Sequence, residues 1–142
     1  MNINWPRIAL AAVAATIVDA LYGFCVYGNV LDRQFAQYPA VYRPMAVQGA
    51  YMPFLFGGIF LAMIAASIIY AKGYEGGSGV TEGVRCGALI GVLAVGYSVI
   101  VQYAMSNIGR KLAVSMAAAA LAEWVLAGIV IGLVYRADAG KK

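Results

Sequence analysis

Apolar residues gather into four long runs separated by short polar stretches. The first extends from Ile8 to Leu31 and is broken only by Asp19. The second covers Pro44 to Ala71 without a charge. The third covers Cys86 to Gly109, also without a charge. The fourth covers Leu112 to Tyr135 and is broken only by Glu123. A helix crosses the hydrocarbon layer with about 20 apolar residues and must satisfy its backbone hydrogen bonds internally. Every run exceeds that length. The pattern predicts an all-α integral membrane bundle of four transmembrane helices, up-down-up-down. It forms a single domain, with spans near residues 8–31, 51–71, 86–106 and 112–135. An interfacial segment is expected near 32–50.

Two runs need a closer reading. The first has Arg7 ahead of its apolar stretch and small residues at Ala12 and Ala14, as a secretory signal would. Its apolar stretch continues to Leu31, too far for a signal core, so an uncleaved helix is expected. The second run contains Pro53, followed by Gly57 and Gly58. Proline kinks a helix or occupies its first turn. One kinked helix from Met45 fits this pattern, but a short segment leading into a span from Pro53 is preferred.

The connections differ in character. Asp32 to Arg43 mixes Phe35, Tyr38 and Tyr42 with Arg33 and Arg43. Aromatics beside arginines are typical of the headgroup layer, which makes this an interfacial anchor. A platform for a ligand or partner is the alternative. Lys72 to Arg85 holds Gly73, Gly76, Gly77 and Gly79 and predicts a flexible loop. It lacks the Gly-Lys-Ser/Thr ending of a phosphate cradle. Asn107, Gly109, Arg110 and Lys111 make a short polar turn, so spans three and four form an antiparallel hairpin. Trp5, Tyr51, Tyr70, Tyr74 and Tyr135 lie near run ends and are expected as belt residues.

Composition supports the membrane reading. Of 142 residues, 63% are hydrophobic and 11% charged, against about 25% charged in soluble domains. Mean hydropathy is +0.81. The net charge of +4 comes from basic residues at span ends, which points to topology and not to nucleic acid. Four spans put both termini on one side, with Arg7, Lys72, Arg85, Arg136, Lys141 and Lys142. The other side has Arg33, Arg43, Arg110 and Lys111, so the termini are expected in the cytoplasm. We call the two sides inner and outer.

The absence of histidine excludes His-ligated haem, His-bound zinc and a Ser-His-Asp triad. Cys25 and Cys86 fall near opposite ends of their spans, too far apart for a disulfide. They read as packing residues. No cofactor or metal is expected, although tyrosines and backbone carbonyls could still hold a group without histidine.

The remaining candidate chemistry is Asp19 and Glu123, each near mid-span. A charge there costs at least about 2.5 kcal/mol, so such residues face the bundle interior or a wet cavity. Ala15 and Gly23 flank Asp19 at i±4, and Ala119 and Ala127 flank Glu123. Small flanking residues let another helix come close. Antiparallel spans one and four could bring both acids to one depth, where both cannot ionise cheaply and one proton would be shared. Proton or cation binding is one reading, and a neutral acid that specifies packing or assembly is the other. Gly83, Gly87 and Gly91, with Gly128 and Gly132, repeat the spacing that permits close helix contact. Packing within the hairpin is expected, with contact to another subunit as the alternative.

Several local features resemble one known group. They are Asn4-Trp5, an alanine-rich first span ending in Leu21-Tyr22-Gly23, Glu82-Gly83-Val84-Arg85 at the entry to span three, and the acid in span four. They resemble a broad bacterial group of small four-span membrane proteins known only as a domain of unknown function. The resemblance covers nearly the whole chain and implies the bacterial inner membrane, but no activity.

The functional expectation is a non-enzymatic structural or accessory subunit, in a homo-oligomer or a larger membrane complex. Its partners would be the lipid bilayer and other membrane subunits, with no nucleic acid. The alternative is a small proton- or cation-coupled transporter or channel using Asp19 and Glu123. An enzyme acting on lipid is least favoured, since no other catalytic grouping accompanies the carboxylates.

Overall fold

A computed structural model describes residues 3–136 of the chain. Lys141 and Lys142, counted in the charge balance, lie outside the described residues. Helix α1 spans Trp5–Cys25 and continues as a π-helical turn, Val26–Val30. Short helices α2 (Asp32–Phe35) and α3 (Met45–Gln48) follow. A 3-10 turn, Gly49–Tyr51, leads into α4 (Met52–Gly73). Helix α5 (Gly79–Ala94) runs through a second π-helical turn, Val95–Ile100, into α6 (Val101–Met105). The last helix is α7 (Arg110–Arg136). There is no strand among the described residues. Four helical stretches are long and apolar enough to cross a membrane, and the fold is an all-α four-helix bundle.

Local sequence explains where the helices begin. The Asn4 side chain accepts the Arg7 amide at 3.3 Å, and Pro6 occupies the first turn of α1. Pro53 likewise occupies the first turn of α4, where its missing N–H costs nothing. The helical path already starts at Met45 and tightens through Gly49–Tyr51, so the lead-in segment and the span are nearly continuous.

The loop expected from Lys72 to Arg85 is much shorter in the structure. Helix α4 reaches Gly73 and α5 starts at Gly79. Glu82 makes this possible. Its carboxylate accepts the Glu75 amide at 3.2 Å and also the Gly77 amide, while its own amide bonds Ser78 O at 2.9 Å. Gly76 supplies the turn with φ +89°. The glycines that suggest flexibility in the sequence serve a tight turn and a packed helix face.

Helices α1 and α7 form the central pair. Helix α4 packs on α1 and α5 packs on α7, while α4 and α5 touch each other little. The α5–α7 contact brings the two backbones together. A Cβ on Gly83 would stand on the Gly128 carbonyl, and one on Gly87 would stand on the Trp124 carbonyl. At Gly91 it would come within 2.9 Å of Leu121, and at Gly132 it would meet the Gly79 carbonyl. The glycine series is therefore used inside the hairpin.

The inner half of the bundle is dense. Ala11, Ala12, Ala15, Met63, Ala66, Tyr70, Ala127 and Ile131 form one core cluster joining α1, α4 and α7. Tyr70, an expected belt residue, is only 3% exposed. Its ring centroid lies 5.9 Å from that of Tyr74 and 5.8 Å from that of Tyr135, because the contact of α4 and α7 closes over it. A second cluster at the outer end joins Val99, Ile108, Leu112 and Ala113.

A methyl group added at Gly58 meets nothing within 4 Å, whereas one at Gly87 meets backbone. Gly58→Ala should raise stability in detergent by about 0.4–1 kcal/mol, the usual gain where backbone and space permit alanine. Gly87→Ala should lower it by about 1–3 kcal/mol through overpacking. Denaturant titration followed by Trp124 fluorescence would read both.

Candidate functional site

Asp19 and Glu123 both belong to the central α1–α7 seam. Asp19 is buried at 6% exposure and Glu123 is half-buried. The two are close enough for their charges to act on one another. Alanines at their i±4 positions remove the bulk that would hold the helices apart. Ala15 and Ala127 are 0% and 1% exposed, and Ala119 is 8% exposed.

Hydrogen bonds run along the same seam. At the inner end, Arg7 Nη1 donates to the Val134 carbonyl at 2.8 Å. At mid-seam, the Tyr22 hydroxyl donates to the Ala119 carbonyl at 2.8 Å. The Tyr27 hydroxyl donates to Glu123 Oε2 at 2.9 Å. At the outer end, the Ser115 hydroxyl donates to Gln34 Oε1 at 3.2 Å. Glu123 thus has a hydroxyl partner. Asp19 has no hydrogen-bonded side chain among the described residues.

Tyr27 lies in the Val26–Val30 π-turn, beyond Asp19 on the same helical path. Helical side chains lean toward the preceding turn, and this lets its hydroxyl reach back to Glu123. The wide turn is held by the Leu31 amide bonding Val26 O at 2.8 Å. Nothing in the hydrophobic pattern announces a π-turn, because it keeps the apolar run intact. The sequence therefore gives no signal for Tyr27 as partner of Glu123, and Tyr22, which the sequence places nearer Asp19, bonds the Ala119 carbonyl instead.

The aromatic residues of the first connection turn inward. Phe35, Tyr38 and Tyr42 pack against the outer core cluster. The Tyr38 hydroxyl accepts the Gly109 amide at 3.0 Å, and the Tyr42 hydroxyl contacts Met116 Sδ at 3.5 Å. Arg33 and Arg43 remain exposed, with the Arg43 guanidinium 3.9 Å from the centre of the Tyr51 ring. The expected anchor is thus also a cap on the α6–α7 turn. From mid-membrane outward the rings form a series. Tyr22 and Tyr27 are 6.3 Å apart, Tyr27 and Phe35 6.4 Å, and Phe35 and Tyr42 4.8 Å between centroids.

Chemically, two carboxylates whose charges act on one another can hold a proton. Among the described residues, every Lys and Arg lies near or beyond a span end, so none of them is placed to neutralise the pair at its own depth. Cys25 and Cys86 are both free thiols. Two surface grooves lie elsewhere, along the second π-turn. One is lined by Val99, Tyr103, Arg110 and Ala117, and the other by Ile90, Tyr97 and Trp124.

No family model, curated protein or solved structure matches this chain.

The seam bonds make distinct contributions. Tyr27→Phe keeps the ring series and removes only the bond to Glu123, so it should cost about 1 kcal/mol of stability in detergent. Glu123→Gln can still accept that bond and should cost less. A larger loss for Glu123→Gln than for Tyr27→Phe, read by the same denaturant titration, would show that the carboxylate has another essential contact.

Proposed function

We propose that this protein is a small proton-coupled transporter or proton channel, and that Asp19 and Glu123 are the groups that take up and release the proton. The observation that carries this reading is that two mid-span carboxylates share the α1–α7 seam close enough for their charges to interact, with Tyr27 bonded to one of them and no basic residue at their depth among the described residues. Acids within spans are costly and are kept where they do ion or proton work. Two carboxylates side by side are least costly when they hold one positive charge between them, and a proton needs no large cavity. Binding is then simple acid–base chemistry, in which an oxygen of Glu123 or Asp19 gains a proton and later returns it. No bond-making enzyme chemistry is proposed.

The glycine pattern bears on this choice. It is the main sequence argument for assembly with other subunits, and it is taken up by the α5–α7 contact. A structural or accessory role keeps one specific support. The outer half of α4 is open, with Phe54 78% and Leu61 69% exposed, and another membrane helix could lie against it. The chain is an integral membrane protein by its four spans. We propose the bacterial cytoplasmic membrane as its location, after the resemblance of its local features, with the termini inside on the balance of basic residues at the span ends.

Reconstitution in vesicles containing a pH-sensitive dye tests the proposal. Under an imposed membrane potential, the native protein should carry protons, while Glu123→Gln and Asp19→Asn should fall to the level of empty vesicles with their fold intact. Unchanged flux in both variants would overturn it.

The accessory role has its own test, the mass of the native particle extracted gently from its membrane. Other subunits in fixed ratio would establish that role. A particle of this chain alone is the outcome expected from transport.

A further inference from the structure

The carboxylate pair lies at the boundary between two unlike halves of the bundle. Toward the termini, Ala11, Ala12 and Ala15 of α1 meet Met63 of α4 and Ala127 and Ile131 of α7, all between 0% and 2% exposed. Ser67 adds one fully buried hydroxyl to this half. Three helices are in contact here, and a route for water would have to separate these fully buried side chains.

Toward the α2 side the construction changes. Among the described residues of α4, none before Met63 is buried, so α4 contributes little cover to the outer half of the seam. The pair is covered there by side chains. Tyr22, Tyr27, Phe35 and Tyr42 are each half-buried and follow one another in edge-on or tilted contact. Beyond them, Gln34 and Ser115 supply polar atoms at the mouth. Tyr27 covers Glu123 directly, bonded to it and placed on a π-turn, an element that recurs at functional positions in helices. The titratable groups nearest the pair are Tyr22 and Tyr27, with Tyr42 and Asp32 farther out.

We infer that in this conformation the Asp19–Glu123 pair is open to proton exchange from one side of the membrane only, the side of α2 and the 106–109 turn, that the Tyr27 side chain closes this route, and that passage to the other side requires the packed inner half to part. The inference rests on the pair being the working site. Opening requires rotation of one side chain, which breaks the Tyr27–Glu123 bond and leaves the packed inner half in place. A proton then passes from water to a Glu123 oxygen without any other bond being made or broken.

Thiol labelling in sealed membrane vesicles tests access alone. In a full chain carrying Cys25→Ser and Cys86→Ser, single cysteines are introduced as Glu123→Cys at the site, Asn107→Cys at the outer turn and Ser78→Cys at the inner loop. A charged, membrane-impermeant methanethiosulfonate reacts with thiols that are in water. Glu123→Cys should label from the same side as Asn107→Cys and not from the side of Ser78→Cys. Adding Tyr27→Ala should speed its labelling severalfold, and Tyr27→Phe less so.

Labelling from the Ser78 side, equal labelling from both sides, or reaction only with a lipid-soluble maleimide would each overturn the inference. So would a Tyr27→Ala rate equal to that of the parent. The unsubstituted protein gives a second reading, since a water-soluble carbodiimide should modify Glu123 only from the Asn107 side. Loss of flux in the Glu123→Gln test bears on transport and leaves this labelling pattern unaffected, so the two readings fail separately.

Discussion

The backbone contact between α5 and α7 sets the rest of the bundle. Glycines at Gly83, Gly87 and Gly128 allow carbonyls and α-carbons of the two helices to touch where any side chain would hold them apart. Lipid tails offer helices no hydrophobic drive to associate, so van der Waals contact at this range must supply the cohesion. Once one face of α7 is fixed on α5, its alanine-flanked face with Glu123 is presented to α1. The seam then closes through alanines and the bonds from Arg7, Tyr22 and Tyr27. The acids share one seam because glycine fixes one face of α7 and alanine thins the other.

The inner and outer halves follow from the same arrangement. Small residues on α1 and α7 leave space that Met63 and Tyr70 of α4 fill, and this binds three helices near the termini. Above Met63 the α4 sequence is Phe-Leu-Phe-Gly-Gly-Ile-Phe-Leu-Ala, whose phenylalanines and leucines are exposed and whose Gly57 and Gly58 have no neighbour within 4 Å. That part of α4 is exposed to its surroundings, and the aromatic segment after α1 covers the outer end of the hairpin instead.

Much of this is legible in the sequence. Four long apolar runs mark four spans, since length and scarcity of charge are sufficient evidence inside lipid. The two acids stand out because nothing else in those runs is charged, and the i+4 glycine spacing indicates a close contact. Other features are hidden for physical reasons. The start of α5 is masked because the same glycines suit a loop and a tightly packed helix, and only the long reach of Glu82 to the Gly77 amide separates the two. Tyr70 reads as a belt residue because position along a span does not reveal which face is covered. The inward turn of Phe35, Tyr38 and Tyr42 depends on partners remote in sequence, with Tyr38 meeting Gly109 at a separation of 71.

Remoteness matters most for the seam itself. Tyr27 and Glu123 stand at a separation of 96, and Tyr22 and Ala119 at 97. At synthesis rates of about 5–20 residues per second, the first span waits roughly 5–20 s for the last to be made. During that interval Asp19 is already committed to the bilayer, with neither Glu123 nor the glycine-bound face of α7 to receive it. The seam of α1 and α7 therefore waits for the last span to be made, and until then the first span has only α4 to pack on while the acid at its middle lacks its counterpart.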